Sequence, residues 1–261
     1  MNKWSSRRKK SIFSFVLIVL IILVGIPAFI FFYKAPTCSD GKQNGDEIGV
    51  DCGGSCQLLC SVESLPIVQK GDARVLTIAP GVYEVVATFD NPNVGAEVYR
   101  ADYTIKLYAT GNPVALKVIE GFTHVPRNGS FVVFEGPFVL QDALPQRASF
   151  VWKEDSLVWK KTSKSLPYVS IQNKELTNAS TTPRLEISVL NKSLESISNL
   201  EFIVLISDKS GNVFAASKTF LDNLAGGATS PAVFTWPRGF EKEVGVIDVI
   251  PRALPDRSFI R

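Results

Sequence analysis

Histidine is almost missing from this 261-residue chain: His124 is the only one. With no second histidine and no cysteine nearby, it cannot complete a standard metal trio. There is no G-x-S-x-G elbow to present a nucleophile and no glycine-rich phosphate loop. His124 stands in "FTHVPRNG", a stretch rich in turn formers, and is read as a solvent-facing loop residue. The paired carboxylates Glu154-Asp155 and Glu241/Glu243 have the chemistry for acid and base work, but in a β-rich context they read as solvated strand or turn residues. The expectation is a protein that is not an enzyme. Cysteine is also missing from everything after residue 60. Any β domain in that region lacks an intersheet disulfide and is held by apolar packing alone.

Charge is missing from Ile12 to Tyr33. At about 1.5 Å per residue, an uncharged helix over 11–33 spans a hydrocarbon core of roughly 30 Å. This segment predicts one transmembrane helix, with the lipid bilayer as its partner. Pro27 is expected to kink it, and Phe29, Phe31, Phe32 and Tyr33 place aromatics near one interface. The preceding tail, 1–10, carries Lys3, Arg7, Arg8, Lys9 and Lys10 and no acid. The positive-inside rule keeps this end cytoplasmic and places the rest outside the cell membrane, as a single-pass protein. A cleaved signal peptide begins in the same way, but its apolar region is about 7–15 residues long and ends in a small-residue cleavage pattern. Neither feature fits, so an uncleaved signal anchor is expected. Without the five tail cations, 23 basic residues face 25 acids, and nothing points to nucleic acid.

From residue 67 onward the pattern is short alternating apolar runs bounded by Gly, Pro, Asn and Asp, which signals an all-β sandwich. Six strands are predicted in a first series: 73–79, 83–89, 102–109, 115–121, 130–136 and 147–153. A second series covers 168–176, 184–191, 200–208, 213–220, 231–237 and 244–252. A gapless shift of 100 residues aligns Asn91 with Asn191, Gly111-Asn112 with Gly211-Asn212, Val133-Phe134 with Val233-Phe234, and Pro137 with Pro237. These identities fall at matching turn and strand positions, and so predict a tandem repeat. The domains are drawn at 67–160 and 167–258, with a short basic linker, 161–166, that leaves limited motion between them. The predicted fold class is therefore all-β, two tandem immunoglobulin-like β-sandwich domains preceded by one transmembrane helix and a small disulfide-rich segment. Trp152, Phe150, Phe134, Trp236, Phe234 and Phe202 are expected core or sheet-edge anchors.

The stretch "VVATFDNPNVGAEVYRADYTIKLY" resembles sandwich domains of the late-embryogenesis-abundant and water-stress/hypersensitive-response group. "SVLNKSLESISNLEFIVLISDKSGNVF" is similar to the small F-x-L-Y-D-type sandwich modules of prokaryotic surface proteins. The resemblance implies an immunoglobulin-like topology and brings no catalytic residue with it.

The only cysteines are Cys38, Cys52, Cys56 and Cys60, in the segment 36–62. An even number on the exported side argues for two disulfides, with three possible connectivities. A four-cysteine zinc site is the alternative, though the paired C-x2-C spacing that suits it is absent. Asp40, Asn44, Asp46, Glu47 and Asp51 supply hard oxygen atoms on a turning backbone, the donor set calcium prefers. The EF-hand order fails, because Lys42 or Ile48 falls where a ligand is needed. The same side chains also serve simply to cap turns through their neighbours' amides. The pattern C-x-D-G-x-x-N-G-D-E-x-G-V-D-C-G-G-x-C resembles a cysteine motif of prokaryotic secreted and surface proteins, which implies an extracellular module. Asn128, Asn178 and Asn191 match the glycosylation triplet. Together these features predict a membrane-anchored interaction or structural protein with an unidentified protein or cell-envelope partner. The alternatives are a tethered hydrolase, a carbohydrate-active module, or an accessory subunit of a membrane assembly.

Overall fold

A computed structural model of the chain describes residues 3–32, 36–140, 144–163 and 168–255. Tyr33, the second half of the predicted linker and the predicted end of the second domain lie outside the described residues. Residues 1–55 and 56–261 form two compact units.

In the first unit, α1 (Lys3–Leu20) and α2 (Ile26–Phe32) flank a π-helical turn, Ile21–Gly25. Proline has no N–H, and its ring presses on the carbonyl four residues earlier. For Pro27 that is Leu23, which lies inside the π turn, where the widened spiral gives the carbonyl room. Lys9–Phe32 is long and apolar enough to cross a membrane. Its large side chains are exposed.

The second unit is all-β and consists of two sandwiches. The strands of the first are β1 (Val68–Gln69), β2 (Arg74–Ala79), β3 (Val82–Asn91), β4 (Ala96–Tyr108), β5 (Lys117–Val125), β6 (Gly129–Val139), β7 (Arg147–Trp152) and β8 (Trp159–Lys161). In one sheet β3 is central, with β1 and β2 along one edge and β6 on the other; in the second sheet β4 lies between β5 and the pair β7 and β8. The strands of the second sandwich are β9 (Val169–Thr177), β10 (Arg184–Asn191), β11 (Ile197–Ser207), β12 (Val213–Leu224), β13 (Thr229–Thr235) and β14 (Val246–Ala253). Its sheets are ordered β9-β10-β13 and β12-β11-β14. The pairing scheme around β3 and β4 therefore recurs around β10 and β11.

All twelve predicted strands are present. A further strand not predicted, Trp159–Lys161, pairs with the start of β4 and runs one residue into the predicted linker, and Trp159 is buried in the core. Leu58 bridges to Lys160, the Leu59 amide donates to the Trp159 carbonyl at 3.0 Å, and Leu59 packs on the first core.

Two strands break the alternation expected of a sheet with one wet face. β3 is buried at five successive positions, Tyr83 to Ala87, and β11 at every position from Leu200 to Ser207. Val85, Ala87 and Phe89 fill the first core, and Leu200, Phe202, Val204 and Ile206 the second. The side chains between them turn the other way. Leu76, Val86, Val132 and Phe134 from the first sandwich pack on Ile203, Leu205 and Ala216 from the second. Phe134, expected as a core or sheet-edge anchor, belongs to this junction. Full burial of a Val, Leu, Ile or Phe side chain is worth about 1.5–3 kcal/mol, so the six larger side chains, closing on Ala216, hold the two sandwiches together as one body.

Candidate functional site

The cysteine segment was the first candidate. Cys38 pairs with Cys56 and Cys52 with Cys60, one of the three connectivities left open. No free cysteine remains among the described residues, so no thiolate is left for zinc.

The five predicted calcium ligands divide into groups. Asp51 accepts the amides of Asp40 and Gly41, each at 2.9 Å, while Asp40 accepts the Lys42 amide at 3.0 Å and the Asn44 amide group at 2.9 Å. The Asn44 bond is the main cause holding the Asp40 carboxyl below its ordinary range. Glu47 accepts the Asn44 amide at 3.1 Å. Asp46 faces elsewhere, taking the Ser55 amide at 2.9 Å and its hydroxyl at 2.8 Å. Each carboxylate thus closes a turn. Gly54 is required here, because a Cβ at that position would lie 2.1 Å from the Asp46 carbonyl oxygen, and its φ is +52°.

The junction between the sandwiches gathers chemistry that the sequence pattern did not reveal. Arg252 on β14 and Glu201 on β11 are both nearly buried. The arginine Nε donates to Glu201 Oε2 at 2.8 Å and Nη2 donates to the same oxygen. Nη1 crosses to the first sandwich, donating to Thr123 Oγ1 and to the His124 carbonyl, both at 2.9 Å. One guanidinium therefore neutralises a carboxylate on its own sheet and ties down a strand of the other.

His124 is not a solvated loop residue: it is 5% exposed and sits in β5. Burial, its first cause, pushes the imidazole below its ordinary range, with the bond to Glu97 opposing. Nε2 lies 3.1 Å from Glu97 Oε2, so it is the protonated nitrogen and donates to the carboxylate. That bond, in turn, holds the Glu97 carboxyl below its ordinary range. The Tyr99 ring lies 6.2 Å from the imidazole, and its phenol is pushed up, first by burial and then by Glu97.

A cleft of about 810 Å³ opens on this flank of the junction, lined by residues of both sandwiches including Glu97, Tyr99, His124, Tyr168, Glu201 and Arg252. A smaller cleft of about 510 Å³ lies along β2 and β12, beside Glu84 and Trp236. Burial raises the Glu84 carboxyl to about 7, with Lys218 partly opposing. Deeper in the first sandwich, Tyr103 donates its hydroxyl to Glu135, and burial drives its pKa upward. Gly121 makes room for that bond, since a Cβ there would lie 2.6 Å from the tyrosine oxygen.

The other acidic pairs remain at the surface, where Glu241 meets Arg238 and Glu243 meets Lys209 as exposed ion pairs. Of the three glycosylation triplets, Asn128 and Asn178 are exposed and Asn191 is completely buried.

No protein-family model matches the chain, and no curated protein matches it. Among solved structures, the transglutaminase of red sea bream aligns with 77% of this chain at 10% identity and a TM-score of 0.22. The chain spans 30% of that protein's length. Likeness at that level carries no argument about activity.

Proposed function

We propose that this chain is a single-pass membrane protein that presents two immunoglobulin-like sandwiches, related by tandem duplication, to a protein or cell-envelope partner outside the cytoplasm. It acts as a binding module without catalytic chemistry of its own. The observation that carries this reading is the coupling of the sandwiches by the Leu76–Phe134 patch and the Arg252 bridge into one body. A rigid pair suits presentation of a fixed surface, whereas a substrate-closing enzyme needs its domains to move. The apolar helix after a basic tail supports the anchored topology, and the two disulfides suit an oxidising compartment. The resemblance of the cysteine segment to prokaryotic surface proteins points the same way.

Protease shaving of intact cells, read by antibodies to each end, tests the topology. The sandwiches should be lost while the basic tail stays protected. Retention of the sandwiches until the cells are lysed overturns the reading. Co-purification from membranes under gentle crosslinking should then recover a partner on the shaved portion.

A further inference from the structure

The wider cleft carries side chains that take no part in joining the sandwiches. Tyr168 sets a ring that is 62% exposed along its wall, and Tyr99 sets a second. Asn128, Asn199 and Ser196 add amide and hydroxyl groups, while the Ser130 and Ser193 hydroxyls are already bonded to Asp90 and Asn191. Asn128 and Asn199, both cleft residues, hold left-handed backbone with φ of +54°. The charges are mixed: Arg127 and Arg252 stand against Glu97, Glu195 and Glu201 in the lining, and the Lys160 and Lys192 ammonium groups lie 5.1 Å and 5.2 Å from the Tyr99 and Tyr168 ring centres.

We propose that this cleft binds a neutral saccharide. A sugar ring presents hydroxyls that both donate and accept, and apolar C–H faces. Neutral amides and hydroxyls meet the first, and aromatic rings meet the second. A field of one sign would instead select an ion, and the mixture of signs here, with Glu201 already paired to Arg252 and Glu97 already bonded to His124, does not supply one. The volume of about 810 Å³ falls in the range of small-molecule sites, and a junction between two domains is a preferred place for them. An extended peptide is a poorer match. β14 ends its sheet beside the cleft, but Pro251 removes a backbone donor from the strand that a peptide would pair with.

This assignment rests on the interaction reading above and names the chemistry of its partner. The test uses the full chain in a zwitterionic detergent without a sugar headgroup, so that the micelle does not compete. Maltohexaose and chitohexaose are the neutral probes, with polygalacturonate and a mixed decapeptide pool as comparisons. Binding is followed by calorimetry and by saturation transfer to the sugar protons. One neutral probe should bind, and Tyr168→Ala and Tyr99→Ala should each weaken it roughly tenfold. Tyr168 is a surface ring, so its variant keeps the fold, which near-ultraviolet circular dichroism verifies. The proposal fails if neither neutral probe binds at about 10 mM, a concentration that reveals even millimolar affinity. It also fails if both tyrosine variants bind as the parent does, or if only polygalacturonate or peptide binds. Failure in solution leaves the shaving result standing, and a failed topology leaves the solution affinity standing, so the two are separable.

Discussion

The two sandwiches share a pairing scheme but are filled with different material. The first is packed with aromatic rings. Phe89 lies 4.6 Å from Phe150 and 4.9 Å from Trp152, and Phe150 lies 4.8 Å from Tyr103. The second is largely aliphatic, built on Leu185, Ile187, Val189, Leu200, Val204 and Ile206. What the two have in common is a pair of buried asparagines. Asn91 donates to the carbonyls of Ala96 at 3.0 Å and Pro126 at 2.8 Å, and accepts the Asn93 amide at 2.9 Å. Asn191 donates to Glu195 at 2.8 Å, Leu224 at 3.0 Å and Ala225 at 3.1 Å, and accepts the Ser193 amide at 2.9 Å. Each bracket joins the loop leaving one strand to the end of another, at the same place in each sandwich. The difference teaches that the loops and their polar brackets specify the topology, while the core needs only volume.

The largest effect is expected where the two halves meet. Arg252→Met strands the Glu201 carboxylate in a buried site and should cost about 3–5 kcal/mol in denaturant unfolding. Adding Glu201→Leu should recover most of that loss, and no recovery would mean that the cross-sandwich bonds, not the stranded charge, set the cost. The asparagine brackets come next. Asn191→Ala removes bonds to three carbonyls, of which those of Glu195 and Ala225 keep another donor, and Asn91→Ala removes bonds to two, so each should cost about 2 kcal/mol. No loss at either position would break the bracket argument.

Titration of the junction follows. The Glu84 carboxyl is raised to about 7 from an unfolded value near 4.5. The folded state therefore holds the proton more tightly, and this contribution is complete below about pH 4.5 and lost as pH rises through 7. Glu84→Gln should flatten the stability profile across that window by about 2 kcal/mol. His124 has the opposite sign: its folded pKa is lowered, so stability falls as pH drops below its unfolded value near 6.5. His124→Gln should remove that fall, measured as unfolding midpoints between pH 5 and 8. The smallest effect separates the two cores. Phe89→Leu gives up ring contacts that Phe202→Leu does not, so it should be the costlier by about 1 kcal/mol. Equal losses would mean that the aromatic filling adds only volume.

Much of this architecture was legible in the sequence, for physical reasons. Turn residues and period-two runs located the strands, and the matched Asn91 and Asn191 pointed to the recurring scheme. The parts that escaped were those set by distant chain. β8 was missed as a strand because Lys160 and Lys161 look solvated, although Trp159 beside them is buried. His124 was misread because its burial comes partly from Arg252, 128 residues away, which leaves no local trace. A signal for the junction was present in "FVVF" and "FIVLI", continuous apolar runs that suit a strand covered on both faces. Disulfide pairing could not be read, since three connectivities satisfy the same spacing. The acidic residues of the cysteine segment were located, but only coordinates distinguish Asp46, which faces Ser55, from Asp40 and Asp51, which face each other's turns.

The doubly covered β3 also has a consequence in time. Chains emerge at about 5–20 residues per second, and the first sandwich is complete well before β11 exists. For several seconds of synthesis Leu76, Val86, Val132 and Phe134 form a bare apolar sheet face. Slow stretches in translation of the second sandwich would lengthen that exposure, and a chaperone that shields sheet faces would shorten it. Yield from the cell is then governed by the interval between two halves of one junction as much as by the strength of either half.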